Sequence, residues 1–181
     1  NDREAVKDIA EHLIALGHTE IGFIKGPDNS ESAAERHDAF CDALQRKGVQ
    51  LGDNNIAFGA NTFQSGVDCA VQLLGSDNPP TAIFASNDEM AIGVMVTAQK
   101  MGIDIPNELT IIGFDDTPQA SKVWPALTTV NLQVKEMGKL ATQKLLALCS
   151  NNIGLAKTIK SELVPTLVRR QTTAPPPIPR G

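Results

Sequence analysis

The sequence lacks an excess of positive charge, a long apolar run and a paired set of cysteines. Its 16 Lys and Arg against 21 Asp and Glu give a net charge of −5, without the basic footprint of proteins that bind phosphate backbones. No apolar run reaches membrane-spanning length. The first residues do not resemble a signal peptide. Because the chain opens on Asn1 and not on Met, this carries little weight. Cys41, Cys69 and Cys149 are scattered, which favours reduced thiols in a cytoplasmic protein.

Motifs of the common nucleotide-binding and hydrolytic enzymes are also absent. The sequence contains no GxGxxG after a strand, no phosphate-binding P-loop and no GxSxG elbow. Its histidines, His12, His18 and His37, have no metal-ligand spacing with one another or with a cysteine. His18 follows a predicted helix end, where an imidazole suits the helix dipole. We therefore expect no catalytic residue, no metal and no cofactor.

The sequence that remains alternates helical and strand patterns, in a chain of 181 residues that is long enough for one domain or slightly more. Amphipathic spacing predicts helices over 3–16, 32–46, 63–74, 88–100 and 134–149. Short apolar runs predict strands over 20–25, 56–59, 82–85, 109–114, 127–131 and 160–168. This alternation predicts an α/β fold with a parallel sheet covered on both faces. The Pro-rich tail, 174–181, is expected to be extended or disordered.

The most informative segment is TIIGFDDTPQASKVWPALTT, residues 110–129. Its apolar strand runs into Gly113 and Phe114 and ends on the paired carboxylates Asp115 and Asp116. The carboxyl ends of strands border the ligand crevice in open α/β sheets. An acid at this position is therefore placed to bind hydroxyls or amines.

Together with HLIALGHTEIGFIKGP (12–27), TAIFASNDEMAIGVM (81–95) and LVRRQTT (167–173), this segment resembles the effector-binding domain of the lactose/galactose repressor (LacI/GalR) family of bacterial transcription regulators. The resemblance covers nearly the whole chain in the family's order. It implies a periplasmic-binding-protein-like type I fold, with a Rossmann-like parallel sheet and a cleft between two lobes.

The resemblance also implies a division of the chain. Residues 1–173 correspond to an effector-binding domain fragment, in which 1–131 and 158–173 match the C-terminal lobe and 132–157 match a segment of the N-terminal lobe. The opening half of the first lobe and the helix-turn-helix domain have no counterpart. We therefore expect a truncated regulator that alone neither reads DNA nor closes a complete cleft.

Two candidate ligand contacts follow predicted strands. Asp115 matches the cleft acid of the family, and a carboxylate accepts several hydrogen bonds from hydroxyls. Asp116 is more simply explained by the turn that it starts. Asn87 matches the ligand-binding asparagine, whereas Asp88 suits the start of a helix. The neighbouring serine and glutamate, Ser86 and Glu89, fit a capping box without any ligand.

The remaining candidates come from the resemblance as well. Arg36 matches the cleft arginine, whose planar fork holds hydroxyls or a carboxylate. Ser32 shares its helix face, although Ser32 and Glu35 also fit a capping box. Asn61 stands where the family often has an aromatic residue, and Leu132 stands where some members have Gln. These two departures weaken the case for a lactose-like or purine ligand and leave Phe63 or Trp124 as alternative aromatic surfaces.

The family also suggests a homodimer. An apolar stripe of helix 88–101 that includes Met90 and Val94 is expected to be exposed, with Val123 and Trp124 beside it, and the matching segments pack across a twofold axis. Helix 134–149 has an apolar stripe whose family partner is the first lobe. We expect it to make intermolecular contacts or to be the least ordered helix.

The sequence therefore predicts the effector-sensing part of a cytoplasmic transcription regulator that binds a sugar or a related metabolite. Operator DNA would be bound only through the missing N-terminal domain, and no membrane association is expected. The alternative is a periplasmic sugar-binding protein of a transport system, which has the same architecture. The GFDD and WPALTTV segments and the odd cysteine count favour the regulator. A sugar-processing enzyme has no support beyond the fold class.

Overall fold

The computed structural model describes residues 2–150 and 163–178. Its helices are α1 (Asp2–Leu16), α2 (Glu31–Gln45), α3 (Phe63–Leu74), α4 (Asp88–Lys100) and α5 (Val134–Cys149). Its strands are β1 (Ile21–Lys25), β2 (Ile56–Phe58), β3 (Ala82–Ala85), β4 (Thr110–Ile112), β5 (Thr129–Asn131) and β6 (Thr166–Val168). The elements follow the predicted order. Part of the predicted strand 160–168 lies outside the described residues.

The sheet has four parallel strands in the order β2-β1-β3-β4. β5 continues beside β4 through single parallel bridges, Ile112 with Thr128 and Asp115 with Asn131. β6 then pairs antiparallel with β5. The prediction of an α/β fold with a parallel sheet is confirmed. The carboxyl ends of β1 to β4 therefore share one edge, which is where the candidate residues were predicted.

Apolar side chains of the strands alternate between two cores, one on each face of the sheet. The core beneath α1 and α2 contains the rings of Phe23, Phe40 and Phe84, whose centroids lie 5.0 to 5.5 Å apart. The core beneath α3 and α4 contains aliphatic residues such as Ile24 and Ile83. Both faces are thus covered by helices, as fully apolar parallel strands require.

α3 and α4 pack closely because each presents a glycine to the other. A Cβ atom at Gly66 would overlap the backbone of Met90, and one at Gly93 would overlap the carbonyl oxygen of Phe63. Met90 and Val94 are consequently fully buried within the chain. The expectation that these two residues form an exposed surface for a second subunit is wrong, since α3 covers them.

The segment after β6 returns along the sheet and ties it to α1. Thr172 donates a hydrogen bond to the Ile111 carbonyl, and the Ala174 amide donates to the Thr110 hydroxyl. His18 is buried between Thr81 and the Ala174 carbonyl, at 2.9 Å from each. Burial lowers the pKa of His18, so it acts as a neutral hydrogen-bonding bridge and not as a charge on the helix dipole. Residues 174–178 are without helix or strand, and 179–181 lie outside the described residues.

α5 differs from the other helices in its surroundings. Of its residues, Ala147 is the one that is buried. The side chains of Val134, Met137 and Leu145 are each more than half exposed. The apolar stripe predicted for this helix is therefore uncovered over most of its length.

Candidate functional site

The candidate residues meet where β3 and β4 end. Asn87 follows β3 by two residues, Asp115 follows β4 by three, and Arg36 reaches both strand ends from the second turn of α2. The Asp88 amide donates to the Phe114 carbonyl at 2.9 Å, which joins the two loops. We call Arg36, Asn87 and Asp115 the polar rim.

Arg36 is held on three sides. Its Nε donates to Asp2 Oδ2 and its Nη1 donates to the Ser86 carbonyl, both at 2.7 Å. Its Nη2 lies 3.9 Å from Asp115 Oδ1. The guanidinium carbon lies 3.9 Å from the centroid of the Phe114 ring, which is within the range of a cation–π contact. Only 13% of the Arg36 side chain is exposed, so its position is fixed before any ligand arrives.

Asn87 caps α4. Its Oδ1 accepts a hydrogen bond from the Met90 amide at 2.9 Å, and its Nδ2 donates to the Asn61 carbonyl at 3.0 Å. The capping box predicted at Ser86 and Glu89 is therefore wrong, because the chain enters the helix one residue later. Ser86 is buried and its hydroxyl has no hydrogen-bond partner among the described residues. Asn87 combines a structural role with a place on the rim.

Asp115 and Asp116 differ in what their carboxylates contact. Both have positive φ, 115° and 52°, so the backbone turns sharply here. Asp116 pairs with Arg170 and accepts a hydrogen bond from Asn131 Nδ2, each at 2.6 Å, so both of its carboxylate oxygens already have partners within the protein. Asp115 keeps 35% of its side chain exposed. Of the two, Asp115 is the carboxylate that a ligand can reach.

The electrostatic environment of Asp115 is unusual for a carboxyl group. Burial raises its pKa to about 6, nearby Arg36 lowers it, and Asp88 and Asp2 raise it further. Its ionisation therefore falls close to neutral pH. Perturbed carboxyl groups at the edge of a cleft are frequent at functional sites.

Asp88 is the residue whose importance the sequence analysis missed. It is fully buried, and its carboxylate accepts hydrogen bonds from the Thr117 amide, the Thr117 hydroxyl and the Thr129 hydroxyl. Burial raises its pKa. Asp88 thereby fixes the turn that carries Asp115. No pattern in the sequence pointed to this contact, because Asp88 and Thr117 lie 29 residues apart along the chain.

Ser32 and Asn61 lie at the edge of the site. Ser32 is exposed, and its hydroxyl lies 3.1 Å from that of Ser30. Ser30 caps α2 by accepting from the Ala33 amide, so the capping box predicted at Ser32 and Glu35 is wrong. Asn61 is exposed and left-handed, with φ of 59°, and its carbonyl meets Asn87. Both residues are thus near the rim without closing it.

The described residues hold no group of three or more His, Cys, Asp and Glu side chains arranged for a metal ion. Among the same residues, no helix is both long and apolar enough to cross a bilayer. Arg170, next to Arg169, is engaged by Asp116 and by the Leu127 carbonyl. The polar rim can therefore bind a ligand through hydrogen bonds and electrostatic attraction.

Comparison with known proteins identifies the family. Residues 10–173 match the model of the periplasmic binding protein-like domain. The chain belongs to this family. The probable HTH-type transcriptional repressor ExuR of Bacillus subtilis is 34% identical over 176 residues, which are 96% of this chain and 53% of the relative. The chain therefore spans about half the length of the curated relatives it matches.

Solved structures agree with this assignment. A dimeric Lac repressor with an 11-residue C-terminal deletion has a TM-score of 0.88 and 31% identity, over 97% of this chain and 63% of that chain. A complex of the transcriptional regulator CelR with cellobiose has a TM-score of 0.82 and 25% identity, over 94% and 52%. The predicted resemblance to lactose/galactose repressor effector-binding domains is thus confirmed.

Within this periplasmic binding protein-like domain, the predicted interface residues separate into two groups. Met90 and Val94 lie in the core, as described above. Trp124 is 78% exposed, and its carbonyl accepts from Gln99 Nε2 at the end of α4. Val123 is partly buried against the α3–α4 core. Trp124 is therefore the member of the predicted interface that remains available for contact.

Proposed function

We propose that this domain senses a small polar metabolite, most simply a sugar, for a bacterial transcription regulator. The observation that carries the proposal is the accessibility of Asp115 in the polar rim. The adjacent acids, Asp88 and Asp116, already accept hydrogen bonds from other residues of the protein. A partly exposed carboxylate suits hydroxyl donors, because its oxygens accept hydrogen bonds. The similarity to the regulator CelR, solved in complex with cellobiose, supports a sugar as the class of ligand.

The effector would act by shifting the orientation of two lobes. A ligand changes such an equilibrium only through different affinities for the two arrangements. Arg36 joins the start of α1, through Asp2, to the loops after β3 and β4, so a ligand that contacts Asp115 would lie close to the residue that holds the start of α1. Operator DNA would be bound by a separate N-terminal domain, because the charge of this chain is −5.

The proposal also covers the oligomeric state of the protein, its location in the cell and its division into lobes. We infer a homodimer, supported by the exposed Trp124 and by the similarity to a dimeric Lac repressor. We also infer a cytoplasmic protein that is not an enzyme, needs no cofactor and does not associate with membranes, in line with relatives named as transcription regulators. Residues 1–131 and 158–173 would form one lobe, and 132–157 would belong to the other.

The central experiment compares Asp115→Ala with the wild type in the natural full-length protein. Thermal shift against neutral hexoses and disaccharides would find stabilising ligands, since a ligand that binds only the folded state raises its melting temperature. We expect Asp115→Ala to weaken the affinity for such a ligand by about tenfold or more. Operator binding without ligand should be unchanged. An unaltered ligand affinity would show that this carboxylate is structural.

A matched control uses the neighbouring acid. Asp116→Ala removes the same charge one residue away, but it breaks the contacts with Arg170 and Asn131. This variant should lower stability more than Asp115→Ala does and should affect ligand affinity less. The reverse pattern would exchange the roles that we give to the two acids.

A further inference from the structure

The polar rim has more negative than positive charge around it. Asp2, at the start of α1, and Asp115 both approach the Arg36 guanidinium, and the Asp88 carboxylate is buried behind the Asp115 turn. Arg170, in the described C-terminal segment, is held by Asp116 at 2.6 Å. Arg36 is thus shared between the carboxylates of Asp2 and Asp115, which counter its positive charge.

Asp2, and not Asp115, is the closest partner of Arg36. The Nε to Asp2 Oδ2 distance is 2.7 Å, whereas the Nη2 to Asp115 Oδ1 distance is 3.9 Å. The Asp2 side chain is only 18% exposed, so water screens this pair little. Nη1 donates to the Ser86 carbonyl and Phe114 lies against the guanidinium plane, so two of the five N–H donors have acceptors and the charge of Arg36 is already countered by Asp2.

We propose that Asp2 is a specificity-determining residue, which neutralises Arg36 and makes the polar rim select an uncharged polyhydroxylated ligand over its carboxylate or phosphate derivatives. The inference rests on the effector-binding function proposed above. Hydroxyls donate to the open Asp115 carboxylate without electrostatic cost. A carboxylate or phosphate at the same place faces Asp115 and Asp2 and finds Arg36 already paired, so like charges oppose its binding.

Asp2→Asn tests this inference because it keeps the size of the side chain and removes its charge. The probe is inorganic phosphate, titrated at constant ionic strength into the natural full-length protein and followed through the NMR signal of the Arg36 Nε–H group. Releasing Arg36 should make phosphate bind about tenfold more tightly than in the wild type, the effect expected for one charged hydrogen bond. Equal phosphate affinity in the two proteins would overturn the inference.

Asp42→Asn provides the matched control. Asp42 pairs with Arg3 at 3.1 Å, and both side chains are about half exposed on the outer face of α1 and α2. This variant removes the same charge and releases another arginine, but away from the rim. It should leave phosphate binding unchanged. A gain equal to that of Asp2→Asn would mean that net charge alone is responsible, and would also overturn the inference.

Paired sugars then separate the inference from the proposed function. Calorimetry compares D-glucose with D-glucuronate and D-galactose with D-galacturonate, which differ only at C6. The wild type should prefer the neutral member of a pair that binds, and Asp2→Asn should reduce that preference by about tenfold. A wild type that binds the uronate as tightly as the hexose would overturn charge selection while leaving effector binding intact. If no sugar of either kind binds, the sugar part of the proposed function fails, and the phosphate comparison still decides the role of Asp2.

Discussion

α4 and α5 both have a helical stripe of apolar residues, yet they lie in opposite surroundings. In α4 the stripe, together with Gly93 and Thr97, is buried against α3 and the sheet. In α5 only Ala147 is buried, and Leu145 remains 61% exposed. The helices also begin differently. Asn87 caps α4 with its side chain, whereas Gln133, at the start of α5, is left-handed with φ of 54° and makes no side-chain cap.

This difference shows that an apolar stripe determines which face of a helix tends to be buried. It does not determine which part of the molecule covers that face. α4 is covered because Gly66 and Gly93 let the backbones of α3 and α4 approach each other. The α4 sequence alone does not predict this close approach, because the partner glycine, Gly66 in α3, lies more than twenty residues earlier. For α5, the covering surface that we infer is another lobe, since the part of the chain that the structure describes leaves most of the apolar face exposed.

The largest effect is expected from an added methyl group at the α3–α4 contact. Gly93→Ala places a Cβ against the Phe63 carbonyl oxygen and the Val67 amide, which are backbone atoms and cannot rotate away. We expect a loss of about 3 kcal/mol in the free energy of unfolding, the upper range for overpacking. Urea denaturation at neutral pH measures it.

Gly138→Ala in α5 is the matched control, because nothing lies within 4 Å of the Cβ that it adds. Alanine is the better helix former, so this variant should be as stable as the wild type or more stable by up to about 1 kcal/mol. Similar effects of the two substitutions would remove the contrast between the helices.

The fold was largely predictable from the sequence, for physical reasons that particular elements make clear. β3 was predicted at its observed bounds because Ala82 to Ala85 is a short apolar run between a proline pair and a polar loop. The strand ending at 114 was predicted too long, because its pairing with β3 ends at Ile112, and beyond it Gly113 and Asp115 donate instead to the carbonyls of Thr128 and Val130. Local pattern thus specifies elements, and pairing with the neighbouring strands decides where they end.

The site was predictable only in part. Arg36, Asn87 and Asp115 were found through the resemblance and through the rule that strand ends border the cleft. The contribution of Asp2 was not, because a residue at the start of α1 and one in α2 meet only through helix packing. The buried role of Asp88 was also missed, since an acid at a helix start is ordinarily explained by the dipole.

A second prediction asks whether α5 has a partner elsewhere. Leu145→Gln should change the free energy of unfolding of the 181-residue chain by no more than about 0.5 kcal/mol, as at an exposed site. In the natural full-length protein the same substitution should cost about 2 kcal/mol if another lobe buries this side chain. Urea denaturation of both proteins, with and without the substitution, gives the two values.

A null effect in both proteins would contradict the assignment of 132–157 to another lobe. A large effect in the short chain would instead indicate that α5 is buried by association of this fragment. Repeating the denaturation at two protein concentrations separates these cases, because association makes the apparent stability depend on concentration.

The smallest expected effect concerns Asp115, the rim residue that follows β4. The pKa of Asp115 is raised by burial to about 6, above its ordinary value of 3.8. The folded state therefore holds this proton more tightly than the unfolded state, and the wild type loses stability as the pH rises from about 4 to about 6. Asn does not titrate, so Asp115→Asn should be the more stable protein above that range.

Since Asp115 is partly exposed, we expect a rise in Tm of roughly 1–2 °C at pH 7 and none at pH 4. Thermal unfolding monitored by circular dichroism across this range measures the difference, and two parallel curves would show that Asp115 has an ordinary pKa.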